Sequence, residues 1–131
     1  LHDLNKEFLE KMDIKKEKAH HVIIFAKTQV GMKNLYKLVS EAHIDNFQKH
    51  PRTRKSKLME MRDGLLIGSA CEAGEVYRAV LDGKSDEELK DIMNFYDYLE
   101  IQPITNNEFL INKGNVKDED ELRALNMKIY N

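Results

Sequence analysis

Residues 64–75 read Gly-Leu-Leu-Ile-Gly-Ser-Ala-Cys-Glu-Ala-Gly-Glu, an apolar run that passes into small side chains and then a cysteine. Leu65, Leu66 and Ile67 show no polar alternation, which is typical of a strand covered on both faces in a parallel sheet. Open α/β sheets and α/β barrels place their chemistry just past the carboxyl ends of such strands. Cys71, the only cysteine of the chain, is therefore a candidate ligand or nucleophile. The alternative is a small buried apolar side chain.

Two other apolar runs have the same character, one within residues 21–27 and one within residues 98–102. Apolar stripes with helical spacing separate the three runs, which lie roughly 35 residues apart, as in chains that alternate strands and helices. The order predicts the α/β class, with three parallel strands near residues 21–27, 64–70 and 98–102 and helices packed outside them. Ser85 and Glu88 form a capping box, which predicts a helix that begins after Ser85.

Composition limits the class of protein. The chain has 131 residues, of which 41% are hydrophobic and 34% charged, so it is one domain or a piece of one. The net charge of −2 is too small to indicate a polyanionic partner. A single cysteine excludes an internal disulfide and fits a reducing, cytosolic setting. No apolar run reaches the roughly 18 residues of a membrane span, and no signal peptide is visible. The chain begins without Met, inside a helical pattern, so we expect a fragment of a longer polypeptide.

His21 and Cys71 are the candidate metal ligands. Imidazole and thiolate suit zinc, which needs about four protein ligands, or three and a water. A nucleophilic Cys71 near a helix N-terminus ranks second, because the spacing identifies no histidine partner. Glu72 and Glu75 are better explained as acids favoured by the dipole at a helix N-terminus. We expect solvated surface positions for three further histidines, His2, His43 and His50.

Residues 49–57 form a basic loop whose role stays open. Its positive side chains suit phosphate groups, as basic patches do, but they also suit a solvated loop. The chain contains no Gly-x-Ser-x-Gly elbow, no phosphate-binding glycine loop and no Cys-x-x-Cys pair. No catalytic residue is therefore assigned.

Three ordered blocks resemble one family. They are His-Val-Ile-Ile-Phe-Ala-Lys-Thr-Gln-Val-Gly-Met-Lys-Asn-Leu-Tyr-Lys-Leu-Val-Ser at residues 21–40, Pro51-Arg52 followed by residues 64–75, and Phe-Tyr-Asp-Tyr-Leu-Glu-Ile-Gln-Pro at residues 95–103. Together they are similar to the PHP (polymerase and histidinol phosphatase) domain of bacterial DNA polymerase III alpha subunits of the PolC type. The resemblance covers about residues 19–131.

The resemblance implies a fold and a metal site. PHP domains are distorted (β/α)7 barrels with metal ions at the carboxyl ends of the strands, so this chain is expected to form a partial barrel of about three parallel strands. By position, His21 matches a ligand histidine, and Cys71 matches a position that holds a Cys or His ligand. The family's opening His-x-His strand and its late Asp-x-His strand are missing. Zinc or manganese is thus expected in the complete PHP domain, but not tightly held by this chain alone.

The resemblance also implies a domain plan and a parent function. Residues 1–18 look like a helical linker from a preceding exonuclease, and residues 19–131 like part of a PHP domain. The parent resembles a magnesium-dependent replicative DNA-directed DNA polymerase with 3'-5' exonuclease, cytoplasmic, with DNA and replisome subunits as partners. We expect the fragment alone to be inactive, not membrane-bound, and either dimeric or covered at its sheet edges by residues 1–12. The alternatives are a free-standing PHP-type metallophosphoesterase relative and a non-catalytic interaction module.

The two lines of reasoning conflict on one point. Parallel strands place His21, which opens its strand, and Cys71, which follows its own, at opposite ends of the sheet. The resemblance requires both side chains to converge on one metal cluster. Because strand boundaries drawn from sequence are uncertain by about 2–4 residues, we expect convergence.

Overall fold

The structure is a computed structural model that describes residues 18–47 and 49–131. Its elements follow in the order β1 (Ile23–Ala26), α1 (Gln29–Ile44), α2 (Lys55–Glu60), β2 (Leu65–Gly68), α3 (Glu75–Leu81), α4 (Asp86–Met93), a 3-10 helix (Ile104–Asn107), α5 (Phe109–Asn112) and α6 (Glu119–Tyr130). The predicted linker over residues 1–18 lies outside the described residues, apart from Lys18. The mixed α/β class is confirmed.

The helices begin where local capping residues place them. The Thr28 hydroxyl accepts a hydrogen bond of 3.0 Å from the Gly31 N–H at the start of α1. The predicted capping box at the start of α4 is confirmed, since the side chains of Ser85 and Glu88 each bond to the other's backbone N–H. Such side chains satisfy N–H groups that the first turn of a helix leaves without partners.

The prediction of parallel strands is wrong. β1 and β2 pair antiparallel, with Ile23 opposite Gly68 and Ala26 opposite Leu65. The predicted third strand at residues 98–102 is wrong as well, because this segment contributes only an isolated parallel bridge between Tyr98 and Gly68. The described residues thus contain a two-stranded sheet with a short extended segment along the outer edge of β2.

The connection between the strands explains the reversal. A single crossover helix returns the chain to the starting edge and makes the next strand parallel, whereas two helices, α1 and α2, intervene here. As a result β2 begins where β1 ends, and the Lys27 N–H donates to the Gly64 carbonyl at 2.9 Å. The start of α1 lies against this point, so closely that a Cβ on Gly31 would collide with the Gly64 carbonyl. The spacing of the apolar runs does not indicate in which direction α2 runs, so it could not predict the direction of β2.

Two apolar clusters hold the elements together. The first joins α1 and α2 to one face of the sheet through Leu38, Leu58, Leu65 and Ile67, all nearly inaccessible to solvent. Burying an aliphatic side chain of this size stabilises the fold by about 1.5–3 kcal/mol. The second cluster packs α3 against α4 and α6. No helix within the described ranges is both long and apolar enough to cross a membrane.

Candidate functional site

The antiparallel pairing brings His21 and Cys71 to the same end of the sheet. His21 lies just before β1, and Cys71 lies just after β2, so the start of one strand stands beside the end of the other. His21 Nδ1 and Cys71 Sγ are 3.5 Å apart and form a side-chain hydrogen bond in the absence of a metal. The conflict between parallel strands and a shared site is thereby removed, because the direction of β2, rather than a strand boundary, was the error. A ligand role for the two residues stays a prediction.

The backbone also ties His21 to the turn that carries Cys71. The His21 N–H donates to the Ala73 carbonyl at 3.0 Å, and His21 forms an isolated bridge with Gly74. Within the turn, the Gly74 N–H donates to the Cys71 carbonyl at 2.8 Å. These backbone bonds fix the positions of the two residues. The imidazole is exposed and the thiol half-buried, so a ligand can still reach both side chains.

The spacing of the pair fits two ligands of one zinc ion. Zinc binds thiolate at about 2.3 Å and imidazole at about 2.0–2.1 Å, so neighbouring S and N ligands of a tetrahedral site lie about 3.5 Å apart. The observed separation of Sγ and Nδ1 is 3.5 Å. The described residues contain no group of three or more His, Cys, Asp or Glu side chains placed to hold a metal. A metal shared by this pair would therefore need further ligands from outside the described residues.

A cleft of about 1060 Å³ is lined by both residues of the pair and by several basic side chains. Arg52, Arg54 and Lys55 line it on the loop that was predicted to be either solvated or phosphate-binding, and only two carboxylates, Glu75 and Glu100, also line it. The loop is therefore part of the site's surroundings, a placement that its sequence does not indicate.

Lys55 and Glu75 form an ion pair in the cleft. Lys55 Nζ lies 2.6 Å from Glu75 Oε1 and 4.4 Å from the centre of the Phe95 ring. Burial is the main cause that raises the pKa of Tyr96, and the nearby Glu75 carboxylate raises it further. Glu75 opens α3, as predicted for a helix N-terminal acid, whereas Glu72 lies in the preceding turn, so its predicted position in the helix is wrong.

The remaining histidines divide as follows. His43 is exposed on α1, with Nδ1 2.7 Å from the Val39 carbonyl, and His50 is exposed on the loop, so the predicted surface positions are confirmed. His2 lies outside the described residues. Sequence reasoning did not single out His20, whose Nδ1 is buried without a hydrogen-bond partner and whose pKa burial lowers against the opposing effect of Glu75. The His20-His21 doublet is the only sequence signal for it.

Comparison with known proteins identifies the family. The PHP domain model matches residues 7–103, and the chain belongs to this family. It is 65% identical, over 99% of its length, to the DNA polymerase III PolC-type of Clostridium perfringens (strain 13 / Type A). The corresponding proteins of Caldanaerobacter subterraneus subsp. tengcongensis and Bacillus subtilis (strain 168) are 49% and 42% identical over 98% and 94% of the chain. The chain spans only 9%, 9% and 8% of these three relatives.

Proposed function

We propose that this chain is the PHP segment of a replicative PolC-type DNA polymerase III, and that His21 and Cys71 share one zinc or manganese ion within it. The single observation that carries the metal assignment is the 3.5 Å separation of Nδ1 and Sγ at one end of the sheet. The identity of 65% over nearly the whole chain supports the polymerase assignment. The remaining ligands come from segments beyond the described residues, because two ligands do not complete a shell.

Each residue of the pair has a defined part in the site. Cys71 would bind as the thiolate and lose its proton on binding, and His21 would bind through Nδ1 of the neutral ring, whose single N–H proton is then on Nε2. A metal bound there supplies Lewis acidity and an activated water. Lys55 holds the Glu75 carboxylate at 2.6 Å, and the resulting ion pair keeps this negative charge compensated beside the cleft.

The polymerase and exonuclease reactions belong to other parts of the polypeptide. This segment carries no assigned catalytic residue, so DNA extension, the magnesium ions that it needs and 3'-5' proofreading require the full-length protein. The segment's own role is to scaffold the polymerase and to hold its metal site. DNA and replisome subunits are partners through the full-length protein, which we place in the cytoplasm.

An unpaired sheet edge supports a larger barrel in the full-length protein. Within the described residues β1 pairs only with β2. Because Lys27 N–H bonds to Gly64, and bonded residues alternate along an antiparallel pair, the backbone groups of Ile24 and Ala26 face away from β2. No other described strand pairs with these groups, so a further strand can bond to them. We therefore propose that the segment is part of a PHP barrel, with β1 at the junction to the preceding part.

Metal analysis of the purified full-length polymerase tests the assignment. The Cys71→Ser and His21→Gln variants should each lose one equivalent of zinc or manganese, because each removes one ligand of the same ion. The matched control is His43→Gln, which removes an exposed imidazole of α1 and should keep the wild-type content. Equal metal content in all four proteins would reject the metal assignment and favour the alternative of a non-catalytic interaction module.

A further inference from the structure

The turn that carries Cys71 contains an alanine in a left-handed backbone conformation. Ala70 has a φ of 58°, a region that residues with a Cβ avoid, and it is 6% exposed. Backbone strain of this kind persists only where the surrounding structure imposes it, and it concentrates at functional sites. Ala70 directly precedes Cys71, so its backbone conformation sets the direction in which the Cys71 side chain points.

The residue before Ala70 is fixed by the edge of the sheet. Ser69 is 2% exposed, and its N–H donates to the Tyr98 carbonyl at 3.2 Å. Its hydroxyl accepts a hydrogen bond of 2.8 Å from the Glu100 N–H. The side chain and the backbone of Ser69 are thus both engaged, and the chain enters the turn in a single direction.

The residues after Cys71 are fixed as well. Ala73 accepts a hydrogen bond from the His21 N–H, and Gly74 donates one to the Cys71 carbonyl. The turn closes so tightly that a Cβ on Gly74 would collide with the Ser69 carbonyl. These contacts fix both ends of the turn, so the change of chain direction between them occurs at Ala70.

We propose that Ala70 is a positioning residue, whose imposed left-handed backbone turns the Cys71 thiol towards His21 Nδ1. The inference rests on the proposed function, because it assigns a purpose to the pair as ligands of one metal. Glycine adopts positive and negative φ with similar ease. Ala70→Gly therefore relieves the strain and keeps the turn, whereas Ala70→Val adds a β-branched side chain that opposes the positive φ while leaving both ligands in place.

The test compares Ala70→Val and Ala70→Gly with wild type in the full-length polymerase. Chelator competition measures the affinity for the zinc or manganese equivalent that is lost in Cys71→Ser. We expect at least a tenfold weaker affinity in Ala70→Val and the wild-type affinity in Ala70→Gly. The temperature of unfolding should fall in Ala70→Val and stay equal or rise in Ala70→Gly. In the metal-free protein, Ala70→Val should change the rate of Cys71 alkylation by iodoacetamide at least threefold, as measured by mass spectrometry, since the thiol no longer faces the imidazole.

Ala79→Val is the matched control, at a buried alanine of α3 outside the turn. It should lower the temperature of unfolding by overpacking the core and leave metal affinity and Cys71 alkylation unchanged. Wild-type affinity and alkylation in Ala70→Val would overturn the inference while the metal assignment stands. Equal losses of affinity in Ala70→Val and Ala79→Val would also overturn it, because the effect would then follow stability alone. A wild-type protein without Cys71-dependent metal would reject the proposed function and this inference together.

Discussion

His21 Nδ1 and Cys71 Sγ lie 3.5 Å apart although fifty residues separate them in the chain. The contact depends on the antiparallel register of β1 and β2, which sets the first residues of one strand beside the last residues of the other. A parallel β2 would separate the two side chains by the length of the sheet. The site is therefore a consequence of the chain direction of β2.

The start of β2 should depend on the absence of a side chain at Gly31. Gly31→Ala places a methyl group against the Gly64 carbonyl, and we expect it to lower the free energy of unfolding by about 3 kcal/mol, since backbone cannot move aside as a side chain does. Gly83→Ala is the control, because a Cβ at this position meets no atom within 4 Å. Only the positive φ of 72° disfavours alanine there, which should lower the free energy of unfolding by about 1–2 kcal/mol. Urea unfolding measures both. Equal losses would show that Gly31 and Gly64 do not touch.

Asp97 should make the stability depend on pH. Its carboxylate accepts a hydrogen bond of 2.8 Å from the Ile67 N–H and lies 3.2 Å from Arg62, and the Ile67 bond is the main cause that lowers the Asp97 pKa below 3.8. A carboxyl group whose pKa is lower in the folded than in the unfolded state stabilises the protein at pH values above its unfolded-state pKa. This contribution disappears as the pH falls through the folded-state pKa. The contribution is therefore complete at neutral pH and lost in acid below pH 3.8.

Asp97→Asn tests this dependence by urea unfolding at several pH values. The side chain is 31% exposed, so we expect a loss of only about 1 kcal/mol at pH 7. The difference from wild type should shrink as the pH falls below 3.8. Asp91→Asn, an exposed position on α4, is the control and should change stability by less than about 0.5 kcal/mol. A difference that stays constant with pH would contradict the assigned role of the carboxylate.

The isolated chain should associate through the side of β1 that pairs with no other described strand. Phe25 is 56% exposed and contacts only the Tyr98 ring among the aromatic side chains of the described residues, at 6.4 Å. An unpaired strand edge with an exposed apolar face favours pairing with a second copy. Sedimentation equilibrium should show a concentration-dependent dimer that Phe25→Lys weakens and that Met59→Lys, at a similarly exposed position of α2, leaves intact. A monomer at every concentration would contradict the dimer.

The sequence predicts features that depend on neighbouring residues. Ser85 and Glu88 set the start of α4 through their own side chains, so their pattern was sufficient. The apolar runs at residues 21–27 and 64–70 correctly located both strands. Their direction depends on how α1 and α2 pack, which involves contacts such as that of Gly31 with Gly64. A run of apolar residues contains no information about such contacts.

The site was only partly predictable for the same reason. His21 and Cys71 were chosen by residue type and by resemblance, and the structure sets them side by side. The ion pair of Lys55 with Glu75 was missed, because it joins the first residues of α2 and α3, which are twenty residues apart. Tyr98 looked like strand sequence, yet it makes a single bridge, since Gly68 is the last residue of β2.

The central claim is that His21 and Cys71 share a metal ion, and X-ray absorption at the metal edge of the full-length polymerase tests it most directly. The difference between wild type and Cys71→Ser should contain one sulfur neighbour, at about 2.3 Å if the metal is zinc. His21→Gln should remove one nitrogen neighbour of the same ion. Identical spectra for wild type and Cys71→Ser, with metal present in both, would contradict the claim.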